Sequence, residues 1–214
     1  MEYKLTGDFY QCLEMTLQQD ECVFAKRGAL VCMDSGIRQT VVMNGPSIWD
    51  VVSAKLSGES FFLIKYTNTR DQPQNLILSG RQGAIYPFQL TPGHTLIVRR
   101  NDYISSSRQV AIDLHLSCNK MLKGTEPTFQ KLQGDAVVFF SYLGNLVKRE
   151  LQSGEEIIVD EDCIKALYDI GDSQINWQKH GSIFRNMIAG EGLFLTRITG
   201  PGTIYLSSEP LIRK

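Results

Sequence analysis

Leu17-Gln-Gln-Asp-Glu-Cys-Val-Phe-Ala-Lys-Arg-Gly28 is written three times in this chain. It returns as Leu90-Thr-Pro-Gly-His-Thr-Leu-Ile-Val-Arg-Arg-Asn101 and as Leu151-Gln-Ser-Gly-Glu-Glu-Ile-Ile-Val-Asp-Glu-Asp162. Each copy places an apolar residue first, then a turn, three apolar residues, two charges and a turn former. A second motif follows each copy: Gly58-Glu-Ser-Phe-Phe-Leu63, Gly134-Asp-Ala-Val-Val-Phe139 and Gly190-Glu-Gly-Leu-Phe-Leu195. Repetition at this period points to one structural unit whose apolar face must be buried against its sister units. The modules run over about 17–80, 90–147 and 151–208 of a single domain, 1–214, with no low-complexity linker between them.

The unit reads as β-structure. Leu13, Met15 and Leu17 alternate with Glu14, Thr16 and Gln18, the period of two of a half-buried strand. The triplets Val23-Phe-Ala25, Leu96-Ile-Val98 and Ile157-Ile-Val159 are rich in β-branched and large apolar residues. Each ends two charges later at Gly28, Asn101 or Asp162, residue types that tolerate positive φ. That placement predicts a hairpin in every copy, with return strands at 29–33, 103–105 and 163–167. The second motif predicts another, reversing at Asn68, Gly144 and Gly200 and returning through 75–78, 146–147 and 203–206. Two stretches, Pro46–Ala54 and Ser182–Ile188, read as short helices, with Trp49 and Phe184 as packing anchors.

Bulk composition narrows the functional classes. A chain of 214 residues with 43% apolar and 21% charged side chains has a globular balance and can build a core without staples. Its 22 basic and 23 acidic residues leave a formal net charge of −1, so no global field recruits nucleic acid or an anionic membrane. The start of the sequence lacks the pattern of a signal or transit peptide, and no apolar run approaches the roughly 20 residues of a membrane helix. A cytoplasmic protein is the expectation. The five cysteines are odd in number and contain no C-x-x-C pair, as expected for reduced thiols without a disulfide framework or zinc site.

No catalytic constellation stands out. His94, His115 and His180 are widely spaced, whereas a cupin-type metal site needs several convergent ligands. Phosphate-loop, G-x-S-x-G and H-E-x-x-H patterns are absent, and the reading assigns no cofactor, metal or catalytic residue. The charges closing each copy are the candidates for partner contact. Lys26-Arg27 and Arg99-Arg100 repeat a dibasic pair that could track a phosphate backbone, but the third copy carries Asp160-Glu161, which would repel phosphate. The reversal suggests that the acidic turn of module three complements a basic turn where chains meet.

The run Gly190-Glu-Gly-Leu-Phe-Leu-Thr-Arg-Ile-Thr-Gly-Pro-Gly-Thr-Ile-Tyr-Leu-Ser-Ser208, with Gly58-Glu-Ser-Phe-Phe-Leu63 and Gly154-Glu-Glu-Ile-Ile-Val-Asp160, resembles the mitochondrial-biogenesis (altered inheritance of mitochondria) protein family. The resemblance covers nearly the whole chain. It implies a β fold related to the tryptophan RNA-binding attenuation protein, TRAP, with three repeats per chain and chains assembled into a trimeric ring. It supplies no activity and no catalytic residue. Eukaryotic relatives organise the mitochondrial inner membrane, a role that does not carry over to a sequence showing no targeting segment. The overall expectation is an all-β chain of three repeats in a TRAP-like double-stranded β-helix/β-sandwich assembly, acting as a non-enzymatic homo-oligomeric scaffold or binding protein. A TRAP-like binder of RNA or of a small molecule between modules stands second. A small enzyme or metal-binding cupin-like protein stands third.

Overall fold

The computed structural model describes residues 1–43, 62–80, 83–115, 129–178 and 195–209. The two expected helices, Trp49 and Phe184 lie outside them, as do Gly58, Gly190, Cys118 and His180. The protein is all-β, and among the described residues the helical elements are two single 3₁₀ turns, Glu161–Cys163 and Asp172–Gln174.

The first six strands after the N-terminal β1 (Glu2–Thr6) are β2 (Cys12–Leu17), β3 (Cys22–Lys26), β4 (Leu30–Met33), β5 (Ile37–Met43), β6 (Phe62–Asn68) and β7 (Gln74–Ser79). Then come β8 (Ala84–Leu90), β9 (Leu96–Arg99), β10 (Tyr103–Ser106), β11 (Ala111–His115), β12 (Phe129–Gln133) and β13 (Ala136–Tyr142). The last six are β14 (Leu146–Leu151), β15 (Glu156–Asp160), β16 (Ile164–Tyr168), β17 (Ile175–Gln178), β18 (Leu195–Thr199) and β19 (Gly202–Ser207). They form four sheets, ordered β1-β2-β7-β4, β5-β6-β3-β10-β13-β8, β11-β12-β9-β16-β19-β14 and β15-β18-β17.

Two compact units divide the chain. The first takes Met1–Gly93, Asn101–Asp113 and Leu132–Tyr142; the second takes His94–Arg100, Leu114–Lys131 and Leu143–Lys214. In the first, Leu13, Met15 and Leu17 of β2 face Val23 and Ala25 of β3 across a core that also holds Ile37, Tyr66, Leu76, Leu78, Ile104 and Phe139. The alternation read from 13 to 17 is the burial pattern of β2, each buried side chain contributing about 1.5–3 kcal/mol of transfer free energy. In the second unit the core gathers Ile97, Phe129, Leu151, Val159, Ile164, Leu167, Ile198 and Ile204.

All three apolar triplets are strands, but the expected hairpins do not form. β3 pairs with β6 and β10, while β4 pairs with β7 in the other sheet. Likewise β15 pairs with β18, and β16 with β19 and β9. The turns after the triplets are therefore corners that carry the chain from one sheet to another. A corner does not need the positive-φ pair of a tight hairpin. Gly28 has φ +78°, Asp162 sits in a 3₁₀ turn, and among the described residues the non-glycine ones at positive φ are Asp20 and Asp169. The second motif behaves alike: β6 and β7 lie in different sheets, as do β13 and β14, and β18 and β19.

Gly200 shows why one such corner needs glycine. A Cβ there would lie 2.2 Å from the carbonyl oxygen of Gln152 and 2.7 Å from Leu151 Cβ, while its own N–H donates to Glu155 O at 2.9 Å. Gly200→Ala is expected to cost ~2–3 kcal/mol by overpacking against backbone that cannot swing aside. At this chain length that corresponds to a fall of roughly 5–10 °C in Tm, measurable by calorimetry. An unchanged Tm would show that the Leu151–Gln152 turn yields freely.

Candidate functional site

The charged residues that close the repeated motif occupy different environments. Lys26 is half-buried and donates from Nζ to Asn101 O at 2.7 Å; Arg27 is exposed. Arg99 is only 3% exposed. Its Nε donates to Ile164 O at 3.1 Å, its Nη2 donates to Glu161 O, and its guanidinium lies 4.8 Å from the centroid of the Phe129 ring. Arg100 is half-buried, as is Asp160, whose carboxylate accepts from the N–H of Asp162 at 2.9 Å. Glu161 is 4% exposed. The structure thus brings Arg99 and Glu161 together through backbone, within the second unit, and sets Lys26 against the turn that precedes β10.

Sheet edges offer a more selective feature, which sequence reading missed. β3 takes β10 as a second partner, with Ala25 opposite Ser105 and Phe24 opposite Ser106. β9 takes β16 in the same register: Val98 lies opposite Ala166 and Ile97 opposite Leu167. In the aligned motif, β15 is the strand corresponding to β3 and β9, yet among the described residues it ends its sheet with β18 as its partner. Strands β4, β10 and β16 also correspond, because each has its register shift at the same step, Leu30/Cys32, Tyr103/Ser105 and Ile164/Ala166. Of these, β4 ends its sheet.

Burial follows the pairing. Phe24 is 6% and Ile97 1% exposed, but Ile158 at the same motif position is 51% exposed. Ser105 and Ala166 are fully buried, whereas Cys32 is exposed, and Val31 is 55% exposed where Ile104 is buried. The signal in the sequence was the apolar character of Val31 and Ile158; what hid it was that an apolar residue in a strand normally announces a core.

Other chemistry is sparse. His94 Nδ1 and Asp169 Oδ2 are 2.5 Å apart, the imidazole stacks on Tyr168 at 5.5 Å, and Asp169 Oδ1 accepts from the N–H of Thr95 at 3.0 Å. This exposed clamp ties the turn before β9 to the end of β16. Among the described residues no three His, Cys, Asp or Glu side chains converge as metal ligands. No helix among them is long and apolar enough to cross a membrane. An open groove of about 530 Å³ lies on the first sheet between Glu2, Lys4, Glu14, Thr16 and Asn75. Cys12, Cys22, Cys32 and Cys163 are free thiols. Burial, then the neighbouring Asp160 and Asp162 carboxylates, push the Cys163 thiol up. Because the thiolate is the nucleophile, Cys163 is expected to alkylate more slowly than an ordinary exposed cysteine at pH 8, its rate still climbing above pH 9. Peptide-resolved mass spectrometry after timed iodoacetamide treatment reads this, and a Cys163 rate already level by pH 8 would contradict it.

The fold has a counterpart among solved structures. The crystal structure of protein SPYM3_0169 from Streptococcus pyogenes is similar over 98% of this chain and 94% of its own, with a TM-score of 0.75 at 15% sequence identity. No curated protein matches the sequence significantly. The family model described as Mitochondrial biogenesis AIM24 matches residues 3–209, and the chain belongs to that family.

Proposed function

We propose that this protein is a non-enzymatic, homo-oligomeric scaffold or binding protein, built from three copies of one six-stranded unit in a TRAP-like double-stranded β-helix and closed into a ring of three chains. The threefold unit is supported by strand pairing. In each stretch the first strand and the third flank the sixth: β2 and β4 on β7, β8 and β10 on β13, β14 and β16 on β19. The second and fourth flank the fifth, as in β3 and β5 on β6, and β15 and β17 on β18.

One observation carries the self-association. Among the described residues, the strand types that join one copy of the unit to the next inside the chain are left as apolar edges at β4 of the first copy and β15 of the last, and such edges are normally paired, covered or closed. The RNA reading has less support, since Arg99 of the second dibasic pair is buried on backbone carbonyls and Arg100 of the same pair is half-buried. Light scattering at micromolar concentration tests the proposal. The expected mass is about three times the 24.1 kDa of the chain. A persistent monomer would refute it, and salt-dependent retention on RNA would move the reading to the nucleic-acid binder.

A further inference from the structure

The internal junctions specify more than self-association. Resting on the oligomer proposed above, we infer that β15 of one copy adds antiparallel to β4 of the next, with Val159 opposite Cys32, Ile158 opposite Met33 and Ile157 opposite Asp34. The register is not chosen freely. Ala25 and Val98 each face the residue that follows the register shift of the partner strand, Ser105 and Ala166. Val159 and Cys32 hold those two positions at the chain ends. Phe24–Ser106 and Ile97–Leu167 likewise map to Ile158 and Met33, and Leu96–Tyr168 maps to Ile157 and Asp34.

The other sheet ends do not compete. Among the described residues β5, β11 and β17 are edges in all three stretches, and β8 and β14 are edges in two, with β1 covering the equivalent β2 in the first. A strand type left unpaired inside the chain carries no instruction to pair outside it. Among the described residues, β4 and β15 are the edges whose counterparts pair with a strand of the neighbouring stretch. Ile158 would leave water in the way Ile97 does, which lies on the face turned to the core holding Leu167, and the partly buried Met33 already packs against the core of the first unit. Charge agrees. Where Lys26 and Arg99 reach the backbone of the following corner, β15 presents Asp160, and the corner before β4 carries the exposed Arg27. The junction is head to tail, each chain giving one β15 and one β4.

Cross-linking tests the register. Directly opposed residues of an antiparallel pair have Cβ atoms within about 5.5 Å, close enough for a disulfide after small adjustment. Val159→Cys, oxidised by air with copper–phenanthroline, is expected to convert the chain to covalent multimers through native Cys32 and to lose them on adding Cys32→Ser. Because Val159 lines a core, a second combination uses exposed Ile158: Met33→Cys with Ile158→Cys in the Cys32→Ser background, expected to cross-link only when both cysteines are present. Glu156→Cys, three residues out of register, is expected to give none with Cys32. An assembly of wild-type mass that yields neither cross-link, or joins Glu156→Cys instead, overturns the register and leaves the oligomer standing. A wild-type chain that is monomeric overturns both.

Discussion

Ile158→Lys is expected to reduce the mass in solution from the assembly to the single 24.1-kDa chain, without unfolding it. The side chain is half exposed within the chain, so lysine there meets water and disturbs no core contact. At the proposed junction of β15 with β4 the same position corresponds to Phe24 and Ile97, both buried. Losing the burial of an isoleucine removes about 2–3 kcal/mol per junction, and placing an ammonium there adds a desolvation cost. Three kcal/mol is more than a hundredfold in affinity, and a closed ring loses it at every contact. The control is Val41→Lys. Val41 is 63% exposed on β5, a strand type that ends its sheet in all three stretches among the described residues, and its replacement is expected to leave the mass unchanged. Cys32 gives a second reading, since its thiol lies on the β4 edge. Ellman's reagent is expected to reach Cys32 slowly in the wild type and quickly in the Ile158→Lys variant. If both lysine variants run as wild-type assemblies, chains meet somewhere other than β15.

The strands were legible because their signal is local. Leu13-x-Met15-x-Leu17 alternates on its own, and Val23–Ala25, Leu96–Val98 and Ile157–Val159 carry their preference in three residues. Which sheet a strand joins is not local. Gly28, Asn101 and Asp162 announce that the chain turns, but whether it returns beside β3 or crosses the core depends on β6 and β7, some forty residues on. The register shifts were invisible for a related reason: the residues inside them, Val31, Ile104 and Lys165, share no chemistry that marks a bulge. Charge misled in the opposite direction. Lys26, Arg99 and Asp160 look alike as solvated ends of a strand, and only the packing of Phe129 and the corner at Glu161 makes Arg99 an interior residue. The candidate junction, in turn, is visible only by comparing equivalent strands, since nothing in the segment Glu156–Asp160 alone says that its counterparts are buried.

Arg99 is expected to be the charged side chain on which the second unit most depends. Its guanidinium gives two hydrogen bonds to backbone carbonyls, Ile164 O and Glu161 O, and covers the face of Phe129, all out of water. Charge-assisted hydrogen bonds of this kind contribute ~1.5–3 kcal/mol each, and cation–π contact adds up to about 2 kcal/mol when desolvated, against the cost of burying the ion. Arg99→Met keeps the length of the stem and removes the donors, so a net loss of ~3 kcal/mol and a Tm lower by roughly 6–12 °C are expected. Arg99→Lys should recover less than half of this, because a single ammonium cannot serve both carbonyls and lie flat on the ring. Lys26 tests whether the position or the burial matters. It occupies the same place in the repeated motif but is half-buried, and it donates to Asn101 O near solvent, so Lys26→Met is expected to cost under ~1 kcal/mol. Calorimetry on the three variants decides the point. Equal small shifts for Arg99→Met and Lys26→Met would mean that both side chains are interchangeable surface cations. A large shift for Arg99 alone means that the second copy of the motif has turned a surface charge into a tie between β9 and the corner before β16, the counterpart of the corner before β4 at which the proposed junction forms.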